Sequence, residues 1–237
     1  METNRNWETR FFTLWTGQAF SLLGSQLVQF TIIWYLTQRT HSATTLATVS
    51  LMGLIPQALL PPFIGTWVDR GNRRAILIAA DSTVAIVTLI PVILFSTGRI
   101  EVWHIYVVLF IRAVASGFHQ SAFGASVVLL VPQNQPARVQ GFNQALFGGL
   151  NIISAPLGAY RYAVLPLHAI LAIDVVTALI AIGTLLIFHI PQPQRDGRAS
   201  VTFRQDLAAG YRYIAAWRGL VIVLLMAKAI NFFYGAA

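Results

Sequence analysis

Seven apolar stretches, each near the length a helix needs to cross a bilayer, make up most of this chain. A spanning helix takes about 20 mostly apolar residues. The stretches lie at 11–36, 43–67, 75–97, 102–131, 139–162, 165–190 and 219–237. In lipid every backbone polar group must be satisfied within the protein, which leaves helices for runs this long. The predicted fold is therefore all-α and membrane-embedded. Composition agrees: of 237 residues 56% are hydrophobic and 10% charged, against about 45–50% and 25% in soluble domains.

The net charge of +8 would suit nucleic acid, but the charges sit in short links between apolar runs. That is the pattern of a membrane protein with basic cytoplasmic loops, so nucleic acid is not an expected partner. With no cysteine there is no disulfide framework and no thiolate metal site. Residues 1–10 are polar and the run after them is too long for a signal h-region, so no cleavable signal is evident.

Short links join the first six spans. After the sixth, Pro191-Gln192-Pro193-Gln194-Arg195-Asp196-Gly197-Arg198 breaks the pattern. Thr202 and Gln205 have capping-box spacing. Phe203, Leu207, Tyr211 and Ile214 recur at helical spacing beside Arg204 and Arg212. Residues 201–217 read as an amphipathic helix, either at the membrane surface or as a solvated linker. The chain thus divides into a six-helix bundle (1–190), a linker (191–218) and a seventh span (219–237).

Orientation follows from Lys and Arg placement. With the N-terminus inside, the cytoplasmic segments hold Arg5, Arg10, Arg70, Arg73, Arg74, Arg138, Arg195, Arg198, Arg204, Arg212 and Arg218. The external links hold Arg39, Arg99 and Arg161, and Arg112 and Lys228 lie inside spans. The expected location is the cell membrane, multi-pass, N-terminus cytoplasmic.

One link concentrates chemistry: Gly65-Thr66-Trp67-Val68-Asp69-Arg70-Gly71-Asn72-Arg73-Arg74. Gly65 would let another helix approach, and Gly71 and Asn72 would tolerate positive φ in a tight reversal. Any short cytoplasmic loop can hold three arginines; the Gly, Asp and Arg spacing needs more.

That pattern, G-x-x-x-D-R then a Gly and an Arg pair, resembles the signature loop between helices two and three of the major facilitator superfamily. Gly65, Asp69, Arg70, Arg73 and Arg74 carry the match, with Gly71-Asn72-Arg73-Arg74 in place of the usual x-G-R-R. Ala169–Ala178 and Ile190-Pro191-Gln192-Pro193 are similar to the macrolide-efflux type of drug:proton antiporter in that superfamily. The resemblance runs over essentially the whole chain. It implies alternating access by two six-helix bundles rocking about a midplane site, with the basic turn as a cytoplasmic latch. Implied partners are the lipid bilayer, a small amphiphilic drug and the proton; no cofactor is implied. The family has about twelve spans, so the chain is expected to be a truncated half, inactive in transport alone unless a separately encoded second half joins it.

Ionisable groups inside spans usually face a cavity or a partner, because each costs roughly 2.5–3.5 kcal/mol at the bilayer centre. Arg112 in span four shares a helix face with Ser116, His119 and Phe123. The family has an arginine in this helix that is associated with proton coupling; a purely structural pairing is the alternative. Asp174 in span six sits within a few ångströms of the same depth, at about 1.5 Å rise per residue. The two could pair or relay a proton, although the family places helix six toward the periphery. Asp81 in span three, a third proton-coupling candidate, would reach the interface or the basic turn.

Gln18, Ser21, Ser25 and Gln29 share one face of span one. In the superfamily, helices one and four line the cavity, so this stripe and the Arg112 face would meet substrate; helix–helix hydrogen bonding is the alternative. Trp15, Phe30, Trp34 and Phe123 would supply apolar contact. In span five, Ala155-Pro156-Leu157-Gly158 partly resembles the antiporter signature G-P-x-x-G-G, with Gly148, Gly149 and Gly158 as close-packing surfaces. Histidines 41, 104, 119, 168 and 189 lack metal-ligand spacing, and nothing points to an enzyme. Two other classes remain: a retinal protein using Lys228, or a non-transporting membrane interaction protein.

Overall fold

The computed structural model describes residues 6–130, 135–187 and 203–236. Among them are helices α1 (Asn6–Thr40), α2 (Ala43–Leu59), α3 (Pro61–Arg70), α4 (Arg73–Ser96), α5 (Val102–Leu130), α6 (Pro136–Val164), α7 (Leu167–Ile187), α8 (Phe203–Ala216) and α9 (Arg218–Ala236). The Pro191–Arg198 break, Thr202 and His189 lie outside the described residues. The chain forms two compact units, one up to Pro193 and one from Gln194.

The second apolar stretch is not one straight helix. Pro61 and Pro62 lack the N–H that would continue the ladder, so α2 ends with Leu60 N–H donating to the Pro56 carbonyl. α3 restarts at Pro61, bent by 53°. The adjacent prolines are the sequence signal for this break.

Side-chain caps start two helices. Ser42 Oγ accepts from the Thr45 amide, 3.4 Å, and Asn72 Oδ1 accepts from the Ala75 amide, 3.1 Å. Each satisfies an N–H that has no partner within its helix.

Among the described residues, α1, α4, α5 and α7 are each long and apolar enough to cross a membrane, and the bent α2–α3 pair counts as one more span. α6 has the length, but Gln140, Asn143, Gln144, Asn151 and Ser154 make it more polar than the span expected at 139–162. Ile86, Leu89, Ile90 and Ile93 of α4, and Val176, Leu179, Ile180 and Ile187 of α7, are exposed. Their helical spacing gives each helix an apolar outer stripe, as lipid contact requires.

Inside the first unit, α4 packs between α5 and α7, α1 against α7 and α6, and α2 against α5. Two apolar clusters close the ends. One joins Val28, Ile32 and Leu36 of α1 to Ile105 and Leu109 of α5 and Leu171 of α7. The other joins Leu14, Ile64, Val68, Leu77, Ala122 and Leu185. Between them each helix places polar groups: Gln18, Ser21 and Ser25 on α1, Asp81 and Thr88 on α4, Arg112, Ser116 and His119 on α5, Asp174 on α7. The bundle is thus a polar layer held between two oily ends.

The second unit contains α8 and α9, with Tyr213 stacked on Trp217, ring centroids 6.0 Å apart. Tyr211, Tyr213, Ile214 and Trp217 are exposed.

Candidate functional site

The polar layer surrounds a cavity of about 370 Å³. Ser21, Ser25 and Gln29 of α1 line it, with Asp81 of α4 and Arg112, Ser116 and His119 of α5. Most of the stripes expected on spans one and four therefore share one space, while Gln18 and Phe123 line the neighbouring pocket instead. Gly53 and Gln57 of α2, Gln26 of α1, Gln120 of α5, and Phe147 and Asn151 of α6 also line it, beside apolar residues such as Leu22 and Val84. None of these six was singled out from the sequence. Gly53 and Gln57, and Phe147 and Asn151, are i, i+4 pairs, a signal visible only once α2 and α6 are known to face the same space.

The apolar lining differs from expectation. Phe147 is the aromatic side chain on the cavity wall. Phe123 stacks on His119 at 6.0 Å between centroids and lines the adjoining pockets. Trp15 donates its indole N–H to Asn143 Oδ1, 2.9 Å, tying α1 to α6. Phe30 stacks on Trp34, 6.0 Å. Neither ring is on the cavity wall, because the polar face of α1 is turned inward and these lie on another face.

Two buried polar stations stand on this layer. At the first, Arg112 Nη1 lies 2.5 Å from Asp174 Oδ2. The Thr88 hydroxyl, with one proton to donate, lies 2.7 Å from the Val84 carbonyl and 3.2 Å from the same carboxylate oxygen, and accepts from Arg112. Ser25 donates to Asp174 Oδ1, 3.0 Å. The aspartate is fully buried and both its oxygens are engaged. α7 is packed against α1 and α4, which overrides the expectation that its peripheral place would keep the two apart.

Close approach of α1 and α7 makes this possible. A side chain at Gly17 would meet Thr184 within 2.8 Å, and one at Gly24 would collide with Thr177 and come within 3.2 Å of Asp174. Two glycines seven residues apart thus face two threonines seven residues apart. In α6, Gly158 does pack closely, against Phe30, but Gly148 and Gly149 face open space.

The second station joins Asp81 to His119. Their Oδ1 and Nε2 atoms are 3.5 Å apart. Gln18 bridges them: its Oε1 is 2.6 Å from His119 Nε2, and its Nε2 donates to Asp81 Oδ2, 3.4 Å. Asp81 therefore does not turn toward the basic turn or an interface; it lies buried on the inner face of α4.

The basic turn is built differently from the sequence expectation. Gly71 has φ −90° and Asn72 φ −75°, so neither is left-handed. Gly71 is needed for space, since a side chain there would meet Ile76 at 2.7 Å and the Trp67 carbonyl at 3.2 Å. Gly65 has nothing within 4 Å of where a Cβ would stand, so no helix approaches it in this unit. Arg73 donates to the Ala125 carbonyl of α5, 2.8 Å, and lies 3.8 Å from Asp69. Arg74 donates to the Leu185 and Leu186 carbonyls, both 2.6 Å, at the C-terminal end of α7. A cation there complements the negative end of the helix dipole. Asp69 stays exposed, and Arg70 is half-buried. Among the described residues no three His, Asp or Glu side chains converge as a metal-binding group.

Residues 14–236 match the Major Facilitator Superfamily. Macrolide efflux protein A of Streptococcus pyogenes is 37% identical over 99% of the chain and 58% of its own length. Macrolide efflux protein A of Enterococcus faecalis is 35% identical over 78% of the chain and 58% of its length. An uncharacterized MFS-type transporter of Bacillus subtilis is 25% identical over 85% and 46%. The chain thus spans between 46% and 58% of the length of these curated relatives.

Proposed function

The chain belongs to the major facilitator superfamily, and from that premise we propose that it forms the N-terminal half of a proton-coupled exporter of amphiphilic drugs of the macrolide class. The observation that carries this reading is the cavity of about 370 Å³, walled by serines, glutamines, Asp81, Arg112 and His119, in a bundle with a lipid-type exterior. Hydroxyls and amides can rearrange around a varied ligand, and Phe147 offers an apolar face.

Alternating access needs a second bundle to rock against the first. A separately encoded half meets that need as well as a longer chain does. In this reading the N-terminus and the basic turn are cytoplasmic. Arg73 and Arg74 hold the turn to α5 and α7, while exposed Asp69 is left for the second half: a latch with one side already fixed. α8 lies along the membrane surface as the linker between halves. Superfamily membership counts against a retinal protein.

The test is equilibrium binding of a radiolabelled macrolide to the purified chain in lipid nanodiscs. Saturable binding displaced by unlabelled drug is expected, weakened at least tenfold by Ser116→Phe, which fills the cavity. Absence of saturable binding, or binding indifferent to that substitution, overturns the reading.

A further inference from the structure

We propose that Asp81 and His119, bridged by Gln18, form the proton-binding site of this bundle, while the Arg112–Asp174 pair is a clamp that does not exchange protons. The inference rests on the proton-coupled reading above and assigns its coupling residues.

The two stations share helices and differ in chemistry. Seven residues separate Asp81 from Thr88 on α4 and Arg112 from His119 on α5. At 1.5 Å per residue the stations are stacked roughly 10 Å apart. At the upper one, Asp174 faces a guanidinium, which offers donors and no acceptor. Its two oxygens accept from Arg112 and Ser25, with the Thr88 hydroxyl shared between it and the Val84 carbonyl, and it is not on the cavity wall. A proton from cavity water therefore meets Arg112 or Ser25 before the carboxylate, which the guanidinium holds in its charged form.

The lower station differs in that its carboxylate itself reaches the cavity wall. Asp81 and His119 both line the cavity. The contacts of Asp81 are long, 3.4 Å to Gln18 and 3.5 Å to His119, so its carboxylate is only loosely held. Its partner is a histidine, whose ring nitrogens can each hold or release a proton. Gln18 offers an oxygen to one and an N–H to the other, so it can accompany either charge state. The remaining surroundings are neutral or distant. α1 adds Ser21, and α6 adds Gln140, Asn143 and Gln144 to the adjoining pocket beside His119. The other charged groups of the layer are Arg112 on α5 and Asp174 on α7, already paired with each other.

The exchange balances simply. A proton from cavity water is taken up on the Asp81 carboxylate or the His119 imidazole, and no other bond forms or breaks. Uptake raises the charge of the cavity wall by one. A drug carrying a protonated amine and that added proton then disfavour each other, so drug entry expels the proton and proton entry expels the drug.

Two measurements on the chain in nanodiscs test this. The first follows ¹⁵N-labelled histidine signals with pH, His119 being assigned by its loss in His119→Gln. Asp81→Asn is expected to change the shape or midpoint of the His119 curve; an unchanged curve overturns the coupled pair. The second counts protons released when a macrolide with a basic amino sugar binds. About one proton per drug is expected, lost in Asp81→Asn and in His119→Gln. Release that persists in both, or that is lost in Asp174→Asn and kept in Asp81→Asn, overturns the assignment. Should Asp81→Asn fail to fold, His119→Gln decides alone. A wild-type chain that binds no drug counts against the transport reading, and the histidine titration still judges the pair.

Discussion

Arg112 of α5 meets Asp174 of α7 at 2.5 Å inside the bundle, both residues nearly without solvent access. Removing one partner strands the other as an unpaired buried charge, which costs about 3–5 kcal/mol. Asp174→Leu and Arg112→Leu are each expected to lower stability by that order. The double variant removes both charges and is expected to cost clearly less than the sum. A double-mutant cycle on thermal unfolding in detergent measures the coupling; simple additivity would show that the pair contributes no interaction.

The contact between α1 and α7 depends on the absence of two side chains. Gly17→Ala and Gly24→Ala drive a methyl into Thr184 and Thr177. Overpacking of this kind costs about 1–3 kcal/mol. Gly53→Ala and Gly65→Ala meet open space and are expected to leave the unfolding midpoint near that of the wild type. Helix propensity favours alanine over glycine by about 1 kcal/mol, so equal losses at all four positions would mean that these contacts do not set the cost.

The helices and the polar layer were legible because lipid imposes a strong rule: apolar runs must be long, and polar residues within them must face inward. α1 and α5 announce their inner faces through Gln18, Ser21 and Ser25, and through Arg112, Ser116 and His119. Partners were not legible. Asp81 turns to His119 because α4 packs beside α5 there, and nothing in the local sequence of either helix records the neighbour's rotation. Gly17 and Gly24 went unread for the same reason, since their meaning lies in Thr177 and Thr184. The turn's motif was plain, but its geometry was not. Gly71 serves by being small rather than by adopting a left-handed backbone, a distinction that only the position of Ile76 decides.

In the basic turn, Arg74 and Asp69 should behave oppositely. Arg74 satisfies two carbonyls at the end of α7, and losing these charged hydrogen bonds costs about 2 kcal/mol. Arg74→Leu is expected to show that loss, with faster amide hydrogen exchange in the last turn of α7. Asp69→Asn breaks a 3.8 Å pair whose aspartate is exposed, of the kind worth at most about 1 kcal/mol. Its effect is expected on transport by the complete two-half assembly, with the isolated chain's stability unchanged. A large stability loss in Asp69→Asn would make the aspartate an anchor of this unit instead of a latch.

Orientation can be decided with two cysteines, since the native chain has none. Asn72 and Arg99 are both exposed and stand at opposite ends of α4, a helix of 24 residues. The turn at 70–74 carries three arginines, while the link after α4 carries Arg99 before the next helix begins at Val102. Retention of the more basic link on the cytoplasmic side places the N-terminus inside. A membrane-impermeant maleimide applied to intact cells is expected to label the Arg99→Cys protein and to spare the Asn72→Cys protein until the cells are permeabilised. The reverse pattern would invert the topology, and with it the side from which the Asp81–His119 station draws its proton. Labelling of both in intact cells would mean that the chain inserts in two orientations, as expected only if the charge difference between its links is too small to set one.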